Sequence, residues 1–229
     1  MTMGFSNKVA SLFLKGLVCL IFCAGPHMLL LGEGLTRYVD PLIGSGGHGH
    51  VFVGASVPFG AVQVGPNNIY KGWDWCSGYN YADSLIIGFS QLHLSGTGIG
   101  DLADILIMPF TGAVKLDKGR QESPHEGYLS TFSHKNEIAR PGYYSVKMDN
   151  GVVVELTASE RVGFHRYQFP KEEDAHVIID LKEGINDRST DTFLEKVDDY
   201  TLKGYRFSSG WAKKQGNFYF VDSLGKNWR

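Results

Sequence analysis

Beyond position 35 the chain alternates apolar and polar residues over short runs, and no long stretch repeats its apolar residues at helical spacing. Successive side chains of a strand point to opposite faces, so this alternation predicts half-buried strands. Turn residues interrupt the runs at intervals of about 8 to 12 residues, the spacing of an all-β sandwich or barrel. The clearest hairpin joins residues 143–149 to 152–159 through Asn150-Gly151, a dipeptide suited to the positive φ values of a two-residue type I′ turn. In its second strand Val152, Val154, Leu156 and Ala158 form an apolar face against Val153, Glu155 and Thr157. Further strands are predicted at 61–64, 85–89, 105–108, 162–169, 177–181, 200–207 and 218–221, and residues 191–199 read as one or two helical turns. Strands with one apolar face hide it by packing sheet on sheet. The expected fold is therefore all-β, a two-sheet antiparallel β-sandwich in one unit over residues 35–229.

Composition sharpens this picture in three places. The 29 glycines among 229 residues are well above the usual ~7%, and with no triplet period they mark turns. With 22 Lys and Arg against 24 Asp and Glu, the net charge of -2 gives no basic surface for a nucleic-acid partner. Residues 1–34 differ in character: Lys8 and Lys15 precede the apolar run 17–24, and a second apolar patch, 28–31, follows Pro26 and His27. That order is the order of a secretory signal, so a periplasmic or extracellular product is expected. Each patch is shorter than the ~20 residues that cross a bilayer; a short membrane-targeting segment interrupted at Pro26 is the alternative. Lipidation at Cys23 fits poorly, because bulky Phe22 precedes it. If Cys19 and Cys23 leave with the signal, Cys76 remains alone, without an internal disulfide partner, and reads as a packed, inert thiol.

Three segments carry candidate chemistry. Gly44-Ser45-Gly46-Gly47-His48-Gly49-His50 is glycine-rich but lacks the Lys-Ser/Thr of a phosphate-binding loop. Its two imidazoles at i and i+2 could share a metal, yet no third ligand stands at a recognisable spacing, and no metal is expected from the pattern. Gly72-Trp73-Asp74-Trp75-Cys76-Ser77-Gly78-Tyr79-Asn80-Tyr81 combines flat aromatic faces with hydrogen-bonding groups. Such faces suit the C–H face of a pyranose and the polar groups its hydroxyls, although the same rings would equally serve as core. The third segment, His93-Leu94-Ser95-Gly96-Thr97-Gly98-Ile99-Gly100-Asp101, holds an imidazole, a hydroxyl and a carboxylate but no nucleophile-elbow pattern. A hydrolase triad is not expected there.

These segments, in order with Tyr38-Val39-Asp40-Pro41-Leu42-Ile43-Gly44, Val57-Pro58-Phe59-Gly60, Ile87-Gly88-Phe89-Ser90, Pro141-Gly142-Tyr143-Tyr144-Ser145-Val146 and Glu160-Arg161-Val162-Gly163-Phe164-His165-Arg166-Tyr167, resemble the N-terminal region of glycoside hydrolase family 92. The resemblance implies a secreted α-mannosidase that inverts the anomeric carbon with the help of calcium. It implies an N-terminal β-sandwich packed on a C-terminal (α/α)6 barrel, with the calcium ligands and both catalytic carboxylates supplied by the barrel. A chain ending at Arg229 is then expected to hold no catalytic residue and no calcium of its own. It would contribute pocket-lining residues to an α-mannoside glycan site: Trp73, Asp74, Trp75 and Cys76, with His48, His50, His93, Thr97 and Asp101 behind them. Accessible Trp73, Trp75, Tyr79 and Tyr81 are expected on a face left for a separately encoded barrel or for self-association. Past Asp222 the family pattern is lost, so the sandwich is expected to be incomplete at its C-terminal end. Two alternatives stay open, a free-standing carbohydrate-binding module and a non-functional truncated product.

Overall fold

The alternation around Asn150-Gly151 builds the centre of the molecule. In a computed structural model that describes residues 34–171 and 174–222, the chain divides into two units, Met1–Leu35 and Thr36–Arg229, and every described strand belongs to the second. The expectations for the N-terminal signal, including Cys19 and Cys23, and for the tail at 223–229 lie outside the described residues. The strands are β1 (Gly65–Asn67), β2 (Leu85–Ile86), β3 (Gly88–Ser90), β4 (Leu106–Thr111), β5 (Ser130–Arg140), β6 (Tyr143–Met148), β7 (Val153–Ala158), β8 (Gly163–Gln168), β9 (Ala175–Asp180), β10 (Arg188–Lys196), β11 (Thr201–Ser209) and β12 (Gln215–Asp222). They form a sheet in the order β1-β3-β4-β9, a second in the order β2-β5-β6-β7-β8 and a third in the order β10-β11-β12, with every pairing antiparallel.

The first two sheets make the sandwich. Phe89, Met108 and Phe110 from one side meet Phe132, Tyr144, Val146, Met148, Val154 and Leu156 from the other in a single buried cluster. The Phe89 and Tyr144 rings lie 6.5 Å apart across the layer. Each such side chain contributes about 1.5–3 kcal/mol through burial, which is why the alternating faces of β6 and β7 decide the pairing. Val152, Val154 and Leu156 are all buried, on the face that alternation assigns to the core.

Several local expectations change. Of Asn150 and Gly151 only the glycine takes a positive φ, 86°. The Gly151 N–H donates to Met148 O (3.0 Å) and the Met148 N–H to Val152 O (3.0 Å), so the connection is a turn followed by a left-handed glycine bulge rather than a type I′ turn. The segment 85–89 is not one strand. Ile86 pairs with Ser130 in one sheet and Gly88 with Asn67 in the other, so the chain crosses between layers at Ile87; a Cβ on Gly88 would lie 2.7 Å from Leu106 Cγ. Pairing near 61–64 is a single bridge, Ala55 to Val64, and the strand starts at Gly65. Residues 191–199 are not helical but mostly strand β10, because tertiary pairing with β11 outweighs weak local preference. Strand β5, unrecognised in the sequence, is 11 residues long; a register shift between Phe132 and Glu137 breaks its alternation and hides its period.

The third sheet is tied to the sandwich by charge. Arg206 of β11 is fully buried, bonded to Asp104, to both oxygens of Asp187 and to the Leu181 carbonyl (3.0 Å). Asp101 accepts the Ala212 N–H (3.1 Å) and the Gln215 Nε2–H (2.8 Å), and Asn217 of β12 donates to Asp104. Two carboxylates three residues apart thus hold the β11–β12 hairpin.

Candidate functional site

The histidine loop and the tryptophan segment, 26 residues apart for the closest pair, fold onto one another. Glycine geometry makes the first of these possible. Gly44 and Gly47 have φ of 84° and 54°, and His50 itself sits at 54°, a region costly for side-chain-bearing residues. The turn closes through Gly49 N–H to Gly46 O (3.2 Å) and Val51 N–H to Gly44 O (3.1 Å). The tryptophan segment enters through Gly72 and forms a 3₁₀ turn, Trp73–Trp75. It is braced from behind, since Asn80 Nδ2 donates to the Asp74 carbonyl (3.1 Å) and Asn68 Oδ1 accepts the Asn80 N–H (2.7 Å).

On this platform Asp74 Oδ1 lies 2.6 Å from His48 Nδ1 and 3.4 Å from His50 Nε2. The hydrogen bond from His48 holds the Asp74 carboxyl below its ordinary range, with His50 acting the same way and burial opposing. Trp73 stands beside them: its ring meets His50 edge-on at 4.3 Å and His48 at 5.2 Å, and its Nε1–H donates to Gly98 O (2.8 Å). That bond brings the third segment to the same place. Trp73 remains 57% exposed, so the result is an immobilised indole face flanked by an ionised carboxylate and an exposed imidazole.

The remaining expected residues separate into two groups. Thr97 is exposed on the loop beside Gly98, its hydroxyl bonded to Ile99 O (3.2 Å). Trp75 is half-buried, donating to Asp83 Oδ2 (3.0 Å) under the Lys71 ammonium, 5.2 Å from the ring. Cys76 is buried, and burial pushes its thiol above the ordinary value, the opposite of an activated nucleophile. His93 is buried as well, with Nδ1 2.8 Å from Gln63 O and Nε2 3.1 Å from Ser90 Oγ; desolvation lowers its pKa to about 4. Asp101 is buried and committed to the β11–β12 hairpin. Of the four aromatic residues expected on an accessible face, Trp73 and Tyr81 are exposed, whereas Tyr79 is core at 1% exposure. Tyr79 turns inward because its hydroxyl donates to the buried Glu137 carboxylate (2.9 Å), which Tyr144 and His134 also reach.

Gly98 of the third segment, with Asp83 and Lys71, completes the site; Asp83 and Lys71 had no sequence signal, since each acts through a contact that only folding creates. The cleft behind Trp75, lined by Asn67, Tyr70, Gly78 and Ile185 among others, encloses about 10 Å³ and is too small for a sugar ring. Gly78 shapes the wall of this cleft with a φ of 88°, and a Cβ there would lie 2.8 Å from both His93 Cδ2 and Ile185 Cδ1. Gly78→Ala is expected to lower stability by about 1–3 kcal/mol through overpacking and backbone strain; thermal unfolding measures it, and an unchanged midpoint would refute the tight packing.

Calcium, which the family resemblance brings, takes about six to eight oxygen ligands. Among the described residues the one cluster of three metal-capable side chains is His48, His50 and Asp74, two nitrogens and one carboxylate, which does not fit that ion.

The Glycosyl hydrolase family 92 N-terminal domain matches residues 38–227, a span that runs past Asp222, where the pattern was expected to end. A relative described as an uncharacterized secreted glycosidase, from Arthroderma benhamiae, is 30% identical over 140 residues, 59% of this chain and 17% of its own length. A family GH92 alpha-mannosidase from Bacteroides thetaiotaomicron, solved in complex with mannoimidazole, superposes with a TM-score of 0.79 at 39% identity, covering 81% of this chain and 25% of that one. A family GH92 inverting mannosidase from Bacteroides thetaiotaomicron VPI-5482 gives 0.61 at 29% identity, over 76% of this chain and 24% of that one. The chain thus spans about a quarter of the length of these solved structures.

Proposed function

Because the chain belongs to the glycosyl hydrolase family 92 N-terminal domain family, we propose that it supplies the aromatic loop face of an α-mannoside site in a secreted inverting α-mannosidase. The observation that carries this reading is the exposed Trp73 ring, fixed by its bond to Gly98 O and set beside ionised Asp74. An immobile indole stacks on the C–H face of a pyranose at little entropic cost, and a carboxylate and an imidazole beside it accept from and donate to its hydroxyls.

Hydrolysis with inversion needs one carboxylic acid to protonate the leaving oxygen and one carboxylate to activate water on the opposite face. In the proposed reading both belong to the barrel domain, together with the calcium ligands, and this chain binds and orients the glycan. Support comes from the placement of the candidate residues: Asp74 is engaged by two histidines, and Asp101 and Asp104 are engaged by the third sheet.

The test is titration of the chain with methyl α-mannoside in the presence of a chelator, followed by tryptophan fluorescence. Weak, saturable binding in the ~mM range is expected, lost in Trp73→Ala, with no mannose released from an α-mannobioside. Binding that survives Trp73→Ala unchanged, or turnover by this chain alone, would refute the assignment. Micromolar mannoside binding would instead favour a free-standing carbohydrate-binding module.

A further inference from the structure

His48, His50 and Asp74 each offer one donor atom, and the three atoms lie within 4.8 Å of one another. An exposed His48–Asp74 ion pair alone would be weak and common. What it does not explain is His50, whose side chain is only 6% exposed yet directs Nε2 at the same carboxylate oxygen, 3.4 Å away. The strained φ of 54° at His50 and the edge-on packing of Trp73 hold that imidazole in place, and Asn80 and the 3₁₀ turn hold Asp74.

Zinc bonds histidine nitrogen and carboxylate oxygen at about 2.0–2.2 Å in tetrahedral geometry, which separates neighbouring donors by roughly 3.3 Å. The His50–Asp74 pair already has this spacing. The His48–Asp74 pair is closer, at 2.6 Å, but the His48 side chain is 75% exposed and free to draw back by the small distance required. Two imidazoles and one carboxylate select a first-row divalent transition ion over calcium or magnesium, which take oxygen.

We infer that His48, His50 and Asp74 form a binding site for a first-row divalent transition ion such as zinc, reached from solvent past His48 and keeping one coordination position open. Three protein ligands with a vacant fourth position is the arrangement of a zinc site that takes an exogenous oxygen ligand, water or a sugar hydroxyl. The site goes beyond the mannoside reading and stands without it, since its ligands are defined by their own geometry.

The experiment titrates the chain with zinc chloride against a chromogenic chelator, with calcium chloride run in parallel and no sugar present. Four proteins are compared: the unmodified chain, His48→Ala, Asp74→Asn, and His125→Ala as a control at an exposed histidine in another part of the fold. The expected result is one equivalent of zinc bound by the unmodified chain and by His125→Ala, at least tenfold weaker binding in both site variants, and no competition from calcium. Substitution by cobalt should give the visible absorption of a four- or five-coordinate ion, absent in Asp74→Asn. Failure of the unmodified chain to bind zinc, binding by His48→Ala and Asp74→Asn as tight as by the unmodified chain, or preferential calcium binding overturns the site. Because mannoside titration is done in chelator, failure of either idea leaves the other to be judged separately.

Discussion

Arg206→Ala is expected to cost the chain about 3–5 kcal/mol of stability, the range for removing one partner of a buried ion pair. Arg206 has no exposed surface, and neither do the side chains of Asp104 and Asp187. Its guanidinium reaches Asp187 at 2.7 and 3.1 Å, contacts Asp104, and caps the Leu181 carbonyl. Without it two carboxylates stay buried together. Burial already pushes the Asp104 carboxyl above the ordinary carboxylate range, with Arg206 opposing the shift, so the variant removes the group that keeps this charge tolerable. The deficit relative to the unmodified chain should narrow as pH falls, because protonation discharges the orphaned carboxylates. Arg206→Lys should recover only part of the loss, since an ammonium cannot reproduce the guanidinium fork. Urea unfolding curves measure all three effects, and a deficit under about 1 kcal/mol, the scale of a surface pair, would mean that the third sheet is held by something else.

The second large effect is acid sensitivity. His93 is buried and neutral, with a pKa lowered from 6.5 to about 4, and desolvation lowers His165 to about 4 as well. Between those values the unfolded chain binds protons that the folded chain refuses, so the contribution is complete above pH 6.5 and is lost as pH falls toward 4. For His93 alone the loss is on the order of 3 kcal/mol across that window, and His165 acts in the same direction. Denaturant midpoints measured from about pH 7.5 to about pH 4.5 should fall steeply, and His93→Gln should flatten the slope by about one proton. A slope unchanged by that substitution would show that His93 takes up its proton within the folded state.

Much of the sandwich was legible because period-2 alternation reports burial directly. Val152, Val154 and Leu156 could face only a core, and the strands around them followed. Strand β5 was not legible, because a bulge between Phe132 and Glu137 shifts its faces and its polar residues, His134 and Glu137, are satisfied by tyrosines from elsewhere. Strand β10 read as helical turns because nothing local in residues 191–199 reports the pairing with β11. In the aromatic segment the sequence marked ten residues but could not sort them between core and surface. Tyr79 lies in the core and Trp73 at the surface because Glu137 is buried to receive one and Gly98 is placed to receive the other.

By itself, then, the sequence determined which residues alternate, where glycine is needed for turns, and that His48, His50, His93, Trp73, Trp75 and Asp74 lie in segments between the strands. Those are properties of neighbours along the chain, and short-range sterics and burial enforce them. Only the tertiary structure decided that Asp101 and Asp104 anchor the third sheet, and that His93 belongs to the interior. It also decided that Asp74 meets His48 and His50 across 26 and 24 residues. Such meetings depend on how two loops pack over a shared core, and no periodicity in either loop records the position of the other.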